Sequence, residues 1–325
     1  MSSSVATPPL QPEELSPATA LAGALVDACA GAVRAPRASI ENCVVALLSG
    51  GHVMIEDVPG VGKTVLGKSL ARAAGCAFSR LQCTADLLPA DVTGVTVWDQ
   101  NAAAFLFRPG PVFANVILVD EINRASPKTQ SALLECMEEG QVTVDGETRV
   151  LPQPFMIIAT QNPVEYEGTF PLPEAQLDRF AVRVAIGYPA PEDEAGMLLD
   201  LAGHDALEGV VAVTDEAGVM AARRVVERVH ADPSLAHYVV GLVGATRRDP
   251  RAELGASPRA GLALLRAAKA RAVVHGRRYV EPEDIRALAH PVLGHRMILT
   301  PDARARGALS GEVVADALAA VPVPL

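Results

Sequence analysis

The sequence predicts an α/β protein: a sheet buried between helices, followed by a smaller domain read as all-helical. Three observations carry that class. Val53–Glu56 is an apolar, β-favouring run that enters a Pro/Gly turn and then a helical pattern with Leu66 and Leu70 on one face. Val116-Ile117-Leu118-Val119 is a continuous apolar run of strand length, the mark of a strand covered on both faces of a parallel sheet. Beyond Glu192, helical periodicity takes over and no strand-like core run stands out.

Length and composition set the bounds. The 325 residues suggest about two domains, and half of them are hydrophobic, enough for a sizeable core. Aromatics are only 4%, so that core must be built mainly of Ala, Val and Leu. A net charge of −10 argues against broad binding to nucleic acid or to an anionic membrane. Five scattered cysteines (Cys29, Cys43, Cys76, Cys83 and Cys136) without C-x-x-C spacing read as reduced core residues of a cytoplasmic protein. Residues 1–17, rich in Ser, Pro and Glu, read as a disordered tail. The apolar run Ala18–Val33 contains Asp27 and falls short of the roughly 20 residues a spanning helix needs, so a soluble helix is expected there.

Taken in order, Arg34–Ser39 breaks the first helix, and a second runs over about Ile40–Leu48 and stops at Ser49-Gly50-Gly51. The strand that follows leads into Asp57-Val58-Pro59-Gly60-Val61-Gly62-Lys63-Thr64-Val65. Strand, tight loop and helix N-terminus together make an anion site, because loop N–H groups and the positive end of the helix dipole point at one place. Lys63 is placed to reach terminal phosphates, and the Thr64 hydroxyl to complete a Mg²⁺ sphere. The G-x-x-x-x-G-K-[ST] pattern asks for glycine at position 57, where this chain has Asp57.

A second strand is expected at Phe78–Cys83, then a hairpin of Val95–Trp98 and Ala104–Phe107 around Asp99-Gln100-Asn101. The buried run at 116–119 ends in Asp120-Glu121. Two adjacent carboxylates at the end of such a strand are costly unless they act, and ligands of open α/β sheets gather at strand carboxyl ends. Asp120 suits Mg²⁺ coordination through water, and Glu121 suits polarising an attacking water. Ser126-Pro127 opens a helix that Gly140 ends. Asp145-Gly146 between alternating segments predicts a type I′ hairpin over 141–150. Phe155–Thr160 is a further strand ending in Gln161-Asn162-Pro163, where the Asn162 amide can orient water or meet a phosphate, although Asn-Pro is also an ordinary turn. A short helix carries Arg179, Val182–Ile186 closes the first domain, and Tyr188–Pro191 reads as a hinge. Ser257-Pro258 and Glu281-Pro282 open two of the later helices.

These separated stretches agree in order and spacing. His52–Thr64, Leu81–Gly94, Gly110–Ala125, Lys128–Val144, Ala159–Pro163, Gly168–Phe180 and Gly255–Ala260 together resemble an AAA+ ATPase and, within that superfamily, the MoxR family, over roughly residues 20–300. The resemblance implies a P-loop αβα sandwich with a five-stranded parallel sheet and two hairpin insertions, residues 18–189, followed by a helical lid, residues 190–325. It implies ATP and Mg²⁺ as cofactors, with the Asp57–Val65 loop holding the nucleotide, Thr64 and Asp120 the metal, and Asp120 with Glu121 as the Walker B pair. Asn162 would be sensor 1, Arg179 an arginine finger acting on a neighbouring subunit, and Arg259 sensor 2. The family places Asp or Gly at the position of Asp57.

A ring oligomer, likened to a hexamer, follows from a finger that works in trans. By resemblance the protein would remodel or mature client complexes, chaperone-like, with a von Willebrand factor A domain partner. Arg179 beside Asp178 has a plainer alternative as a surface ion pair, and Arg259 as a residue that merely extends from a helix start. Arg124, directly after the acids, is a further candidate to face nucleotide. One departure from the family is Val33–Ile40, where a Val-Gly-Gln-like box that walls the adenine pocket is usual. The runner-up function is an AAA+ nucleic-acid motor or transcription-associated ATPase, prompted by Arg247-Arg248, Arg266 to Arg271 and Arg277-Arg278. The acidic balance speaks against it, and neither nucleic acid nor membrane insertion is expected.

Overall fold

The computed structural model of the chain describes residues 10–162, 169–188, 191–200 and 207–324. It divides into two compact units, Leu25–Glu216 and a second that joins the residues up to Ala24 to those from Ala217 onward. Helices α1 (Pro12–Ala32) and α2 (Arg37–Leu48) precede strand β1 (Val53–Glu56), then come α3 (Lys63–Ala73) and β2 (Phe78–Gln82). A short helix α4 (Pro89–Thr93) leads to the hairpin β3 (Gly94–Asp99) and β4 (Ala104–Pro109), and β5 spans Val116–Asp120. Helix α5 (Pro127–Glu139), the hairpin β6 (Gln141–Val144) and β7 (Glu147–Val150), and β8 (Met156–Gln161) follow. The short α6 (Glu174–Leu177), β9 (Val182–Val184) and α7 (Pro191–Asp200) complete the elements of this unit.

Five strands form one parallel sheet in the order β2-β5-β8-β1-β9. Its sequence cause is a period of two with both phases apolar. Leu118 and Ile158 lie against Gly67 of α3, where a Cβ would sit 3.9 and 3.7 Å from them. Ile117, Val119, Ile157 and Ala159 point the other way, into a core with Leu133, Leu134 and Cys136 of α5 and with Phe180. Both faces are dry, so the sheet must be sandwiched between helices. Because all five strands run the same way, the polar ends of β1, β5 and β8 emerge at one edge. Register puts Glu56 opposite Gln161 and Gln82 opposite Asp120.

Both expected hairpins are present. Asp145 (φ 53°) and Gly146 (φ 80°) turn the second through the left-handed region twice, as a type I′ turn requires. The first hairpin does not simply pack its aromatics down. Phe107 lies edge-on to Phe113 and beneath the Arg149 guanidinium, which ties the two hairpins together, whereas Trp98 and Phe105 meet edge-to-face and stay exposed.

The other unit contains α8 (Glu216–Arg228, which begins at the boundary), α9 (Pro233–Arg248), α10 (Pro258–Val274), α11 (Pro282–Leu293), α12 (Pro301–Ala305) and α13 (Ser310–Ala320). Ser257 caps α10 as its sequence predicts, its hydroxyl accepting from the Ala260 N–H with Pro258 in the first turn. A buried ion cluster joins α10 to α11: Arg271 and Arg277 both donate to Asp284.

Three details of the organisation emerge from the structure. The tail predicted over 1–17 turns helical at Pro12, because Glu14 pairs with Arg228 and the Thr19 hydroxyl bonds the Val273 carbonyl at 2.8 Å. The helical second unit also carries a small antiparallel ribbon of β10 (Ala252–Leu254) and β11 (Ile298–Leu299), too short to show a period. The first compact unit runs on to Glu216, because residues 207–216 hold to α3: Arg72 donates to the Leu207 carbonyl and the Val213 N–H to the Ala73 carbonyl. Of the hinge read at 188–191, positions 189 and 190 lie outside the described residues. At 21 residues α1 is longer than its apolar run and could span a membrane by length and composition alone. One face of it is buried, through Leu15, Ala18, Ala22, Leu25, Val26 and Cys29.

Candidate functional site

The site forms where β1, β5 and β8 end. After Glu56 the chain turns through Gly60 (φ 88°) to Gly62 (φ 91°), which is the N-cap of α3. That left-handed geometry is open to glycine and strained for other residues, and it leaves the first N–H groups of α3 facing outward. Lys63 folds back so that its ammonium donates to the Asp57 carbonyl. Burial lowers the Lys63 pKa, partly opposed by the negative charges of Asp57, Asp120 and Glu121. A cavity of about 260 Å³ opens here, walled by Gly60, Lys63, Thr64, Asp120, Glu121 and Asn162 among others.

The carboxylates are held by Arg124 and by three residues the sequence did not single out, Thr160, Arg80 and Gln82. The Thr160 hydroxyl donates to Asp120 Oδ1 and accepts the Glu121 N–H, both at 2.9 Å. Arg80 donates through Nε and Nη2 to Asp120 Oδ2 at 3.0 and 2.7 Å. Gln82 and Arg124 each donate to Glu121 Oε2 at 3.2 Å. Glu121 itself is left-handed (φ 53°), a conformation that costs a non-glycine residue about 1–2 kcal/mol. The Thr160 bond to its N–H helps to hold it there, and such strain gathers at working sites. Arg80 and Gln82 are two apart on β2, so they share a face. Only the pairing of β2 with β5 brings that face beside the acids.

The donor set fits a magnesium-bound nucleotide. Outward N–H groups, an ammonium, a hydroxyl and two carboxylates converge on one cavity, and the Arg80 guanidinium beside Asp120 shows that positive charge is stabilised there. Among the described residues no three His, Cys, Asp or Glu side chains form a metal cluster. A divalent ion would therefore complete its sphere with phosphate oxygens and water, as Mg²⁺ does.

Comparison with known proteins agrees with this chemistry. Residues 52–182 match the ATPase family associated with various cellular activities, and residues 244–317 match the AAA lid domain. Chaperone MoxR1 of Mycobacterium tuberculosis is 42% identical over 85% of this chain and 74% of its own length. Protein MoxR of Paracoccus denitrificans is 33% identical over 90% and 94%. The protein named YeaC of Bacillus subtilis is 50% identical over 87% and 88%. A crystal structure described as that of a proposed ATPase from Cytophaga hutchinsonii superposes with a TM-score of 0.89 at 36% identity, covering 96% of this chain and 98% of that one. The chain belongs to the MoxR family of AAA+ ATPases.

Within this MoxR-family fold the predicted residues separate into two sets. Pro59, Gly60, Gly62, Lys63, Thr64, Asp120, Glu121 and Asn162 line the cavity, and Val58, Val61 and Val65 do not. Asp57 sits in the loop, but its carboxylate bonds backbone N–H groups instead of lining the cavity. Arg179 is not beside this cavity, and its ion-pair partner is Glu138 at 3.0 Å instead of the adjacent Asp178. Arg259 is the second residue of α10 and belongs to the other compact unit. Val33, where the segment expected to wall an adenine pocket begins, has its Cγ1 3.7 Å from where a Gly62 Cβ would be, so this residue borders the Gly60–Gly62 turn.

Proposed function

We propose that this MoxR-family protein is a Mg²⁺-dependent ATP hydrolase that works as a ring of identical subunits. The observation that carries the reading is the convergence of Lys63, Thr64, Asp120, Glu121 and Asn162 on one cavity at the sheet edge. Lys63 and the N–H groups of the Gly60–Gly62 turn bind the phosphates. Thr64 and Asp120 hold the metal, which when bound supplies charge neutralisation on the phosphate oxygens. Glu121 accepts a proton from the attacking water while Asn162 orients it. Arg179 serves a neighbouring subunit's nucleotide, and Arg259 acts as sensor 2 from the lid. A finger in trans has no function in a monomer, so gel filtration should show a larger species when ATP is added.

The cellular role that fits is chaperone-like remodelling or maturation of client complexes in the cytoplasm, with a von Willebrand factor A domain protein as partner. The chaperone-like part of this role draws support from the name of the Mycobacterium tuberculosis relative. The acidic net charge disfavours a nucleic-acid motor. Steady-state phosphate release is the deciding measurement. Glu121→Gln should lose turnover by about 10³-fold, within the range for removing a general base, while still binding ATP. Equal activity in variant and parent would remove Glu121 from the mechanism.

A further inference from the structure

The carboxylate of Asp57 is buried, and three backbone N–H groups converge on it. Its Oδ1 accepts from Val58 at 2.9 Å, and its Oδ2 accepts from Ile186 and Gly187 at 2.6 Å each. Ile186 and Gly187 lie just past the end of β9, the edge strand that pairs with β1. The same residue offers its carbonyl to the Lys63 ammonium. One residue thus clamps the entrance of the phosphate loop to the chain leaving β9 and holds the lysine at the loop's other end. A buried carboxylate is tolerated because hydrogen bonds replace its hydration. Glycine at this position would supply none of the three.

We infer that Asp57 is a positioning residue for nucleotide binding: its side chain pins the phosphate loop to the 186–187 backbone and so sets the place of Lys63. This rests on the loop being the phosphate site, as proposed above. Loss of a clamp made of charge-assisted bonds should appear in affinity, since a displaced loop no longer presents its N–H groups and ammonium together.

The test is calorimetric titration of the full chain with ADP, alongside ATPase kinetics and the melting temperature of the nucleotide-free protein. Asp57→Gly should weaken ADP binding by about tenfold and raise KM more than it lowers kcat. Asp57→Asn keeps one oxygen to accept from Ile186 and Gly187 and should recover most of that loss. Asp57→Ala, which also removes all three bonds, carries the test if the glycine variant does not fold. ADP affinity and KM within about twofold of the parent in Asp57→Gly or Asp57→Ala would overturn the inference, even if melting falls. Lys63→Ala is the control. If it also binds ADP normally, the phosphate-site reading itself fails. If it alone loses binding, only the role of Asp57 does.

Discussion

Two arginine–carboxylate clusters in this protein are built from the same side chains and are suited to opposite ends. Around Asp284, four hydrogen bonds from Arg271, Arg277 and the Glu281 N–H occupy both oxygens, and the carboxylate is fully buried. Around Asp120, one oxygen meets the Thr160 hydroxyl and the other meets Arg80, whose side chain is 49% exposed. Arg80 can leave into water at little cost, whereas Arg271 and Arg277 would each abandon a buried charge. Saturation makes a fixed joint between α10 and α11. Incomplete, half-solvated pairing leaves a carboxylate free to exchange its cation, as the proposed Mg²⁺ site needs.

The comparison can be broken most directly at the buried cluster. Asp284→Ala should destabilise the protein by about 3–5 kcal/mol, because both arginines lose the buried carboxylate they share. Thermal unfolding would measure it, and a loss under about 1 kcal/mol would put this joint in the same class as an exposed pair. Its pH signature sharpens the point. Burial raises the Asp284 pKa, but bonds from Arg277, the Glu281 N–H and Arg271 outweigh it and hold the carboxyl below its ordinary 3.8. A depressed native pKa contributes stability that is complete above that ordinary value and is lost as pH falls through the native one. Melting temperature should therefore drop on acidification below pH 3.8, and the drop should shrink in Asp284→Asn.

At the proposed catalytic edge the effects should be smaller in stability and larger in chemistry. Thr160→Val keeps the shape but removes the bonds to Asp120 and to the Glu121 N–H, a loss of about 1–3 kcal/mol. It should lower phosphate release about tenfold or more while ADP affinity changes less, and an unchanged rate would show that Thr160 does not position the acids. Arg80→Ala comes last. It should alter the melting temperature by less than a pair worth about 1 kcal/mol would, and should strengthen apparent Mn²⁺ affinity with ADP bound, read by electron paramagnetic resonance. Weaker Mn²⁺ binding would instead make Arg80 part of the metal site's support.

Much of this was legible in the residues. Gly60, Gly62 and Lys63 announce an anion site through backbone geometry that few other residues adopt, and Val116–Asp120 announces a buried strand that ends in charge. Arg80, Gln82 and Thr160 carry no such signal. Each is a polar residue on a strand of ordinary composition, and its importance depends on which strand lies alongside. The ribbon Ala252–Leu254 with Ile298–Leu299 escaped for a related reason, since its strands are three and two residues long and gain their identity only from pairing.

By itself, then, the sequence determined the α/β class, the phosphate loop, the acidic strand end and the family, because these rest on local patterns of chirality, charge and hydrophobic period. Tertiary structure alone decided what lies across from what. It turned Asp57 away from the cavity toward Ile186 and Gly187, placed Arg80 on Asp120, gave Arg179 the partner Glu138, and carried the first compact unit on to Glu216. Those contacts join residues far apart in the chain. They are fixed by strand order and register, which no local stretch encodes.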